Sequence, residues 1–589
     1  MSGSIMSSVP RDPRRLVLRQ LWPGRPAAAA LAAVVLATTV LPLLAPQLTR
    51  RFVDDAIAGA PIQTLLWIAL GYLTLALGGQ AARLLTAWLA SQLAWDGTNR
   101  LRETLAEHAL GLDLDYHGQR SPGEMIERVD GDVVALAEFI VAFLLDVVVS
   151  LLLLVGVLVM VMTVDWRIGT VLLIYCALVG YAMVRMQRLA VPAATQVRQR
   201  SAALYGQMEE RLAGAEDIRA NGAGVHAVHR FHQSAADLYR ATLRAERIGA
   251  GLFAGTAVAF AAGTAIVLGV AAWTQQAGLL TITIGTLVLL FQYTQMIRTP
   301  FERLLDQLQQ YQKALAGVAR IGELLSQQRT LPTPAEPVPL PSGALAVALD
   351  RVDFAYPDDQ QPVLSQVTLQ LAPGQTLGVV GRTGSGKTTV ARLLLRLYDP
   401  TAGSVQVGGV DLRRADPESL RRRIAVVTQD VQLFAASVRD NLTLFRPELA
   451  DDDQLRHVLT EVGLTSWLDR LPEGLDSVLA PQGGGLSAGE GQLLAFARAF
   501  LADPGLIVLD EASSRLDPAT EEAIDQAVVR LLHGRTAVLI AHRLSSLARV
   551  DQIAVMDGGK VVEYGPRAEL AADPNSRFGG LLAAAGVRV

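Results

Sequence analysis

Six apolar runs in the first half of the chain restrict its fold more than any other feature. They lie at about 26–48, 62–90, 137–163, 167–186, 248–274 and 279–298. Each is close to the roughly 20 residues that a helix needs to cross a hydrocarbon core of about 30 Å. A soluble core helix is usually shorter than this, and six in succession predict a membrane domain. The first run, "PAAAALAAVVLATTVLPLLAPQL", is too long for a signal-peptide core and lacks a clear cleavage site, so it reads as retained. Composition agrees: 51% of the residues are hydrophobic and only 18% are charged.

Orientation follows the arginines. "RDPRRLVLR" precedes the first run, which puts the N-terminus in the cytoplasm, and six spans bring the chain back there. Arg50 and Arg51 fall on the outer side against this rule, beside Asp54 and Asp55. The long connections, between runs 2 and 3 and between runs 4 and 5, are charged and helix-forming. They read as membrane helices continued into the cytoplasm. Asp146 lies inside the third run, in "AFLLDVVVS". A carboxylate at that depth is costly, and it belongs either to a polar substrate pathway or to a bond with another helix.

A net charge of −4 argues against a nucleic-acid partner, and the single cysteine, Cys176, leaves no internal disulfide. Lysine occurs only at Lys313, Lys387 and Lys560. The arginine bias points to GC-rich coding and a bacterial inner membrane. Residues 326–343, "SQQRTLPTPAEPVPLPSG", have the prolines of an extended linker, which divides a membrane domain (1–325) from a second domain (344–589).

In that second domain short β-rich runs alternate with helical ones, the pattern of an α/β fold. "TLGVV" leads into "GRTGSGKT", Gly381 to Thr388, which fits G-x-x-x-x-G-K-[ST]. Gly381, Arg382, Thr383, Gly384, Ser385 and Gly386 form a loop that can wrap phosphate oxygens, and Thr389 follows in the helix. Lys387 can reach the β- and γ-phosphates, and the Thr388 hydroxyl can ligate Mg²⁺. Three further strands end in polar groups: "IAVVTQ" at Gln429, "GLIVLDE" at Asp510 and Glu511, and "TAVLIAH" at His542. In a parallel sheet ligands bind beyond the carboxyl ends of the strands, so these groups should converge on one nucleotide. Asp510 can hold the metal shell, Glu511 can orient and polarise water, Gln429 can sense metal and water, and His542 can contact the γ-phosphate.

Together these motifs resemble an exporter-type half-transporter of the ATP-binding cassette (ABC) superfamily, over nearly the whole chain. The resemblance implies the type IV exporter fold: a domain-swapped, six-span helical transmembrane domain followed by an α/β P-loop nucleotide-binding domain. Tyr356 in "DFAYP" matches the aromatic that stacks on adenine, and Gln429 the Q-loop. Asp510 matches the Walker B aspartate, Glu511 the catalytic glutamate, Asp517 the D-loop aspartate and His542 the switch histidine. "DYHGQRSPGEMIERVDGDV" (115–133) resembles the first coupling-helix region, and "LAGAEDIRANGA" (212–223) the region after the second.

"LSAGE", Leu486 to Glu490, stands where the family carries Leu-Ser-Gly-Gly-Gln. In such dimers this signature closes over the ATP held by the other half. Ser487 and Gly489 match it, whereas Ala488 and Glu490 depart from it. Pro481 replaces a usual glutamate upstream, and Arg515 a usual small residue in the D-loop. Ser487-Ala-Gly-Glu490 also fits S-x-x-E, a capping box that would occupy the helix-end donors internally. The resemblance therefore implies ATP and Mg²⁺ as ligands and a bilayer as surroundings. It also implies a second half-transporter as partner, heterodimeric so that one ATP site keeps an intact signature, with a homodimer as the alternative. The expected cargo is an amphipathic drug, lipid or peptide. An importer on the same fold, for example of a siderophore, or an ATP-gated channel or regulatory subunit would carry the same motifs.

Overall fold

A computed structural model of the chain describes residues 24–279, 281–357, 359, 361–481, 484–510, 518–541 and 544–584. The chain separates into two compact units. One comprises residues up to Gly111 and Arg120–Gln328; the other comprises Leu112–Gln119 and Arg329 onward.

Among the described residues the first unit is all helix. Its long helices are α1 (Arg25–Ile57), α2 (Ile62–Leu110), α3 (Pro122–Val164), α4 (Trp166–Ala213), α5 (Gly224–Gln276) and α6 (Ile284–Ser326). Among the described residues, α1 to α5 are long and apolar enough to cross a membrane. The sixth expected span falls on α6, whose first half is broken by Gln292, Tyr293, Gln295 and Arg298, so composition marks it less clearly than the other five. α3 is not regular throughout: π-helical turns occupy Glu127–Gly131 and Phe143–Val148. Leu43, Val157, Ile168, Leu172, Tyr293 and Ile297 form the central core of this unit.

Polar groups fasten these helices at chosen heights. Pro42 and Pro46 lie inside α1, and nearby the Tyr293 hydroxyl donates to the Leu43 carbonyl at 2.9 Å while Gln47 Nε2 donates to that hydroxyl at 3.2 Å. At the end of α1, the Asp54 carboxylate accepts from Gly285 N at 2.9 Å and from the Thr283 hydroxyl at 2.9 Å. It therefore caps the positive end of α6. This gives Asp54 a structural partner, and Arg50 approaches the same carboxylate at 3.8 Å.

The second unit is α/β. Its larger sheet has the order β10–β9–β3–β8–β7–β6, built from β3 (Thr376–Gly381), β6 (Ile424–Val427), β7 (Leu506–Asp510), β8 (Thr536–Ile540), β9 (Gln552–Asp557) and β10 (Lys560–Pro566). The pairs among β6, β7, β8, β3 and β9 are parallel, and β10 joins antiparallel. β7 and β8 read as unbroken apolar runs because both faces of the sheet are covered. A smaller antiparallel sheet, β2–β1–β4–β5, contains β1 (Val347–Phe354), β2 (Leu364–Leu371), β4 (Ala402–Val407) and β5 (Val410–Asp411). One core packs Phe496 and Leu493 against Ile507 and Leu509; a second packs Val352, Leu364 and Val390 against Val379 and Val508. Within the same unit, Asp113 of the Leu112–Gln119 segment accepts from the Thr330 hydroxyl at 2.9 Å and from Leu331 N at 3.1 Å.

Candidate functional site

The phosphate loop follows β3 directly and opens the helix α7 (Lys387–Leu394). Three backbone positions in it favour glycine, Gly381 because a Cβ there would lie 2.2 Å from the Met556 carbonyl oxygen. Gly384 has φ +83° and Gly386 φ +100°, and a Cβ on Gly386 would lie 2.6 Å from the Leu364 side chain. No side chain caps α7 and no acidic residue lies in its first turn, so its N–H groups and positive dipole remain available to an anion. Lys387 is buried, and its Nζ donates to the carbonyls of Gly381 at 2.8 Å and Arg382 at 3.0 Å. The ammonium is thus held over the mouth of the loop. Ser385 Oγ is buried there with no hydrogen-bond partner among the described residues. Arg382, Thr383 and Thr388 are exposed.

Strand register brings the expected strand ends together. Val379 pairs with Ile540, and Ile540 pairs with Asp510, so the ends of β3, β8 and β7 lie level in three adjacent strands. β6 pairs with β7 and ends at Val427, two residues before the exposed Gln429. Four strand ends thus share one edge of the sheet. Tyr356 follows β1 and packs edge-to-face with Phe354 and Tyr398, at centroid distances of 4.9 and 5.3 Å. Its hydroxyl lies 3.1 Å from Thr389 Oγ1 and accepts from Arg392 Nη1 at 2.9 Å. Its ring is therefore fixed by α7, the helix that carries the phosphate loop. Glu511, His542 and Asp517, three of the expected site residues, lie outside the described residues.

The Leu486–Glu490 segment expected to be the signature opens α8 (Ala488–Ala502), and here the helix end is closed. Glu490 N donates to Ser487 Oγ at 3.2 Å, and Ser487 N donates to Glu490 Oε2 at 2.8 Å. This is the reciprocal cap expected from S-x-x-E. A third group was not legible beforehand: Arg470 Nη2 meets Glu490 Oε1 at 3.2 Å and holds the carboxylate over the helix end. Further along α8, Arg498 donates to the carbonyls of Asn441 at 2.7 Å and Gln432 at 3.0 Å, and burial pushes its pKa down. Gln492 Nε2 reaches the Thr428 carbonyl at 3.5 Å. α8 is thus tied to the segment on either side of Gln429, a connection that local sequence spacing could not reveal.

In the helical unit Asp146 lies in the π-helical turn of α3. It accepts from Gln307 Nε2 at 3.0 Å and faces Arg303 Nη1 at 3.5 Å, both on α6. Of the two readings open for this carboxylate, the geometry supplies the interhelical bond.

Comparison with known proteins gives the class. Residues 29–301 match the ABC transporter transmembrane region, and residues 364–514 match the ABC transporter family domain. The chain is 34% identical over 95% of its length to the multidrug efflux ATP-binding/permease protein of Mycobacterium bovis (strain BCG / Pasteur 1173P2), and spans about half that relative, 46%. It is 30% identical to the ATP-dependent lipid A-core flippase of Thiobacillus denitrificans (strain ATCC 25259 / T1), over 92% of this chain and 93% of that one. In fold it matches a bacterial Atm1-family ABC exporter solved with ATP bound, at a TM-score of 0.77 and 24% identity, covering 96% of this chain and 99% of the other. One chain thus carries both the transmembrane region and the ATP-binding cassette of this family. The chain belongs to the ABC transporter family, and its architecture is that of the family's exporter fold.

Proposed function

We propose that this chain is one half of an ATP-driven exporter of amphipathic drugs, lipids or peptides, and that it works as a heterodimer with one weakened ATP site. The observation that carries the proposal is the self-capped signature. Ser487 and Glu490 satisfy one another, and Glu490 places negative charge where a γ-phosphate would arrive. In a homodimer both composite sites would have this defect. With a partner carrying an intact Leu-Ser-Gly-Gly-Gln, the defect is confined to the site built on the partner's phosphate loop. The site on Lys387 and Glu511 of this chain then remains hydrolytic. The efflux and flippase roles in the names of its relatives support an amphipathic cargo.

At the hydrolytic site Gly381 to Thr389 would cradle the phosphates and Tyr356 would stack on the base. Glu511 would orient and polarise water, Gln429 and Asp517 would link the site to closure, and His542 would contact the γ-phosphate. Thr388 and Asp510 fit a Mg²⁺ that takes its other ligands from phosphate and water. Among the described residues no cluster of three acidic, His or Cys side chains could hold a metal unaided. ATP binding would close the two cassettes because the closed state binds it more tightly, and hydrolysis would reopen them. The same reading puts the N-terminus and the cassette in the bacterial cytoplasm and treats residues 326–343 as the linker between domains 1–325 and 344–589.

The test is purification of the chain alone and with its co-purifying partner, followed by flux in vesicles of known orientation. A stable homodimer with brisk, substrate-stimulated ATPase refutes the heterodimer, as does a partner with an equally altered signature. Flux towards the cassette side refutes export.

A further inference from the structure

Asp146 is answered by Arg303 and Gln307, but a second ionisable group in the helical unit is not answered. Arg83 lies on α2 within the apolar run at 62–90, one turn before Thr86. Among the described residues it has no ion pair or hydrogen bond. Thr86 Oγ1 lies 2.8 Å from Thr38 Oγ1, in the middle of α1. Thr38 follows Arg25 by thirteen residues, which is about 20 Å of helix at 1.5 Å per residue. Arg83 therefore sits well inside a hydrocarbon core of about 30 Å, where an arginine without a partner is expensive to keep.

What it faces is a cavity of about 530 Å³ bounded by α1, α2 and α6, a size that accommodates an ordinary small-molecule ligand. Gln80, Gln292 and Gln295 share its wall with Arg83. The side-chain oxygen of Gln292 is buried and accepts no hydrogen bond among the described residues. Thr38 and Tyr72 add hydroxyls, and the remaining wall is apolar, including Pro42, Leu77, Phe291 and Met296. One cation, several amides and a greasy wall match a molecule with a single anionic head, polar atoms beside the charge and an apolar tail.

We infer that this cavity binds the head of an amphipathic anion, a carboxylate or phosphate on a hydrocarbon tail, with Arg83 as its counter-ion. The inference rests on the export reading and narrows its substrate class. Arg83 touches the ligand's charge, Gln80, Gln292 and Gln295 read the atoms around it, and α1 and α6 supply the surface for the tail. Arg83 is then kept in the membrane because the ligand brings the missing charge.

The experiment is equilibrium binding to the assembled transporter in phosphatidylcholine nanodiscs, with hexadecanoate, hexadecyl phosphate and hexadecanol as probes. At least one anion should bind about tenfold or more tightly than the neutral alcohol, as one desolvated charge-assisted contact allows. Whichever anion is preferred identifies the head group. Arg83→Gln should remove the preference, and Arg83→Lys should keep most of it. Equal binding of all three probes by the unmodified protein overturns the inference without relying on a variant to fold. Retention of the preference in Arg83→Gln overturns the role of Arg83. Active, anion-blind export would sink this inference alone, whereas an anion preference without ATP-driven flux would sink the export reading alone.

Discussion

Two helix N-termini in the same domain meet phosphate chemistry in opposite ways. α7 begins after glycines at positive φ, has no side-chain cap and carries no acidic residue in its first turn. α8 begins with Ser487, which is bonded reciprocally to Glu490, and the carboxylate is held in place by Arg470. Both helices have the same backbone dipole and the same orphan N–H groups. At α7 these donors remain available to an anion, while at α8 they are partly spent within the chain. A helix end is therefore a phosphate site only when its own residues leave it unsatisfied, and four residues are enough to decide this.

The largest expected effect falls on the lysine at the open end and on the glutamate expected to serve it as base. Lys387→Ala, or Glu511→Gln, should lower steady-state ATP turnover of the assembled transporter to below about a tenth, given typical general-base contributions. Glu511→Gln should still bind ATP and accumulate a closed dimer, visible by cross-linking. Turnover above that level would remove these residues from the hydrolytic role.

Next comes the backbone of α7. Gly386→Ala sets a Cβ against Leu364 at φ +100°, a conformation that costs on the order of 1–3 kcal/mol. Nucleotide affinity should fall and thermal unfolding should begin earlier. Gly384 has open space around it, so Gly384→Ala should cost less, reflecting φ alone. An equal loss at both positions would show that contact with Leu364 does not matter.

The comparison sharpens at Glu490. Glu490→Gln keeps the capping geometry, since glutamine serves at the third helical position, but it removes the charge. ATP occlusion at the composite site using this signature should rise about twofold to fivefold, the equivalent of a charge–dipole term of 0.3–1 kcal/mol. Ser487→Ala should act in the other direction on the fold, costing about 1 kcal/mol of helix stability by loss of the cap. Occlusion that does not change in Glu490→Gln would show that the self-cap does not weaken the site. The smallest effect is expected from Arg470→Ala. That side chain is mostly exposed, so the pair contributes about 0.2–1 kcal/mol and should shift the melting temperature little and less still in high salt.

Legibility followed the length of the loop that each contact closes. The phosphate loop, the reciprocal cap of α8 and the apolar spans were all readable, because each depends on residues a few positions apart and on the periodicity of one backbone. The strand ends around Asp510 were readable as a group because a parallel sheet collects carboxyl ends on one edge. Arg470 on Glu490, Arg498 on Asn441, and Arg303 and Gln307 on Asp146 were not readable. Each joins elements whose relative rotation is set by packing. Arg83 was not singled out in the sequence, and the cavity before it required α1, α2 and α6 to be placed side by side.

The sequence by itself thus determined the membrane-length helices, the phosphate loop with its obligatory glycines, and the closed end of α8. In each case the deciding interactions span one turn or one strand, where steric and hydrogen-bonding rules leave few choices. Only the tertiary structure decided which charges found partners. It gave Asp54 the N-terminus of α6, gave Asp146 an arginine from the same helix, and left Arg83 facing a cavity. The azimuth and height at which two helices pack fix those outcomes, and they arise from the summed fit of many apolar side chains rather than from any single residue.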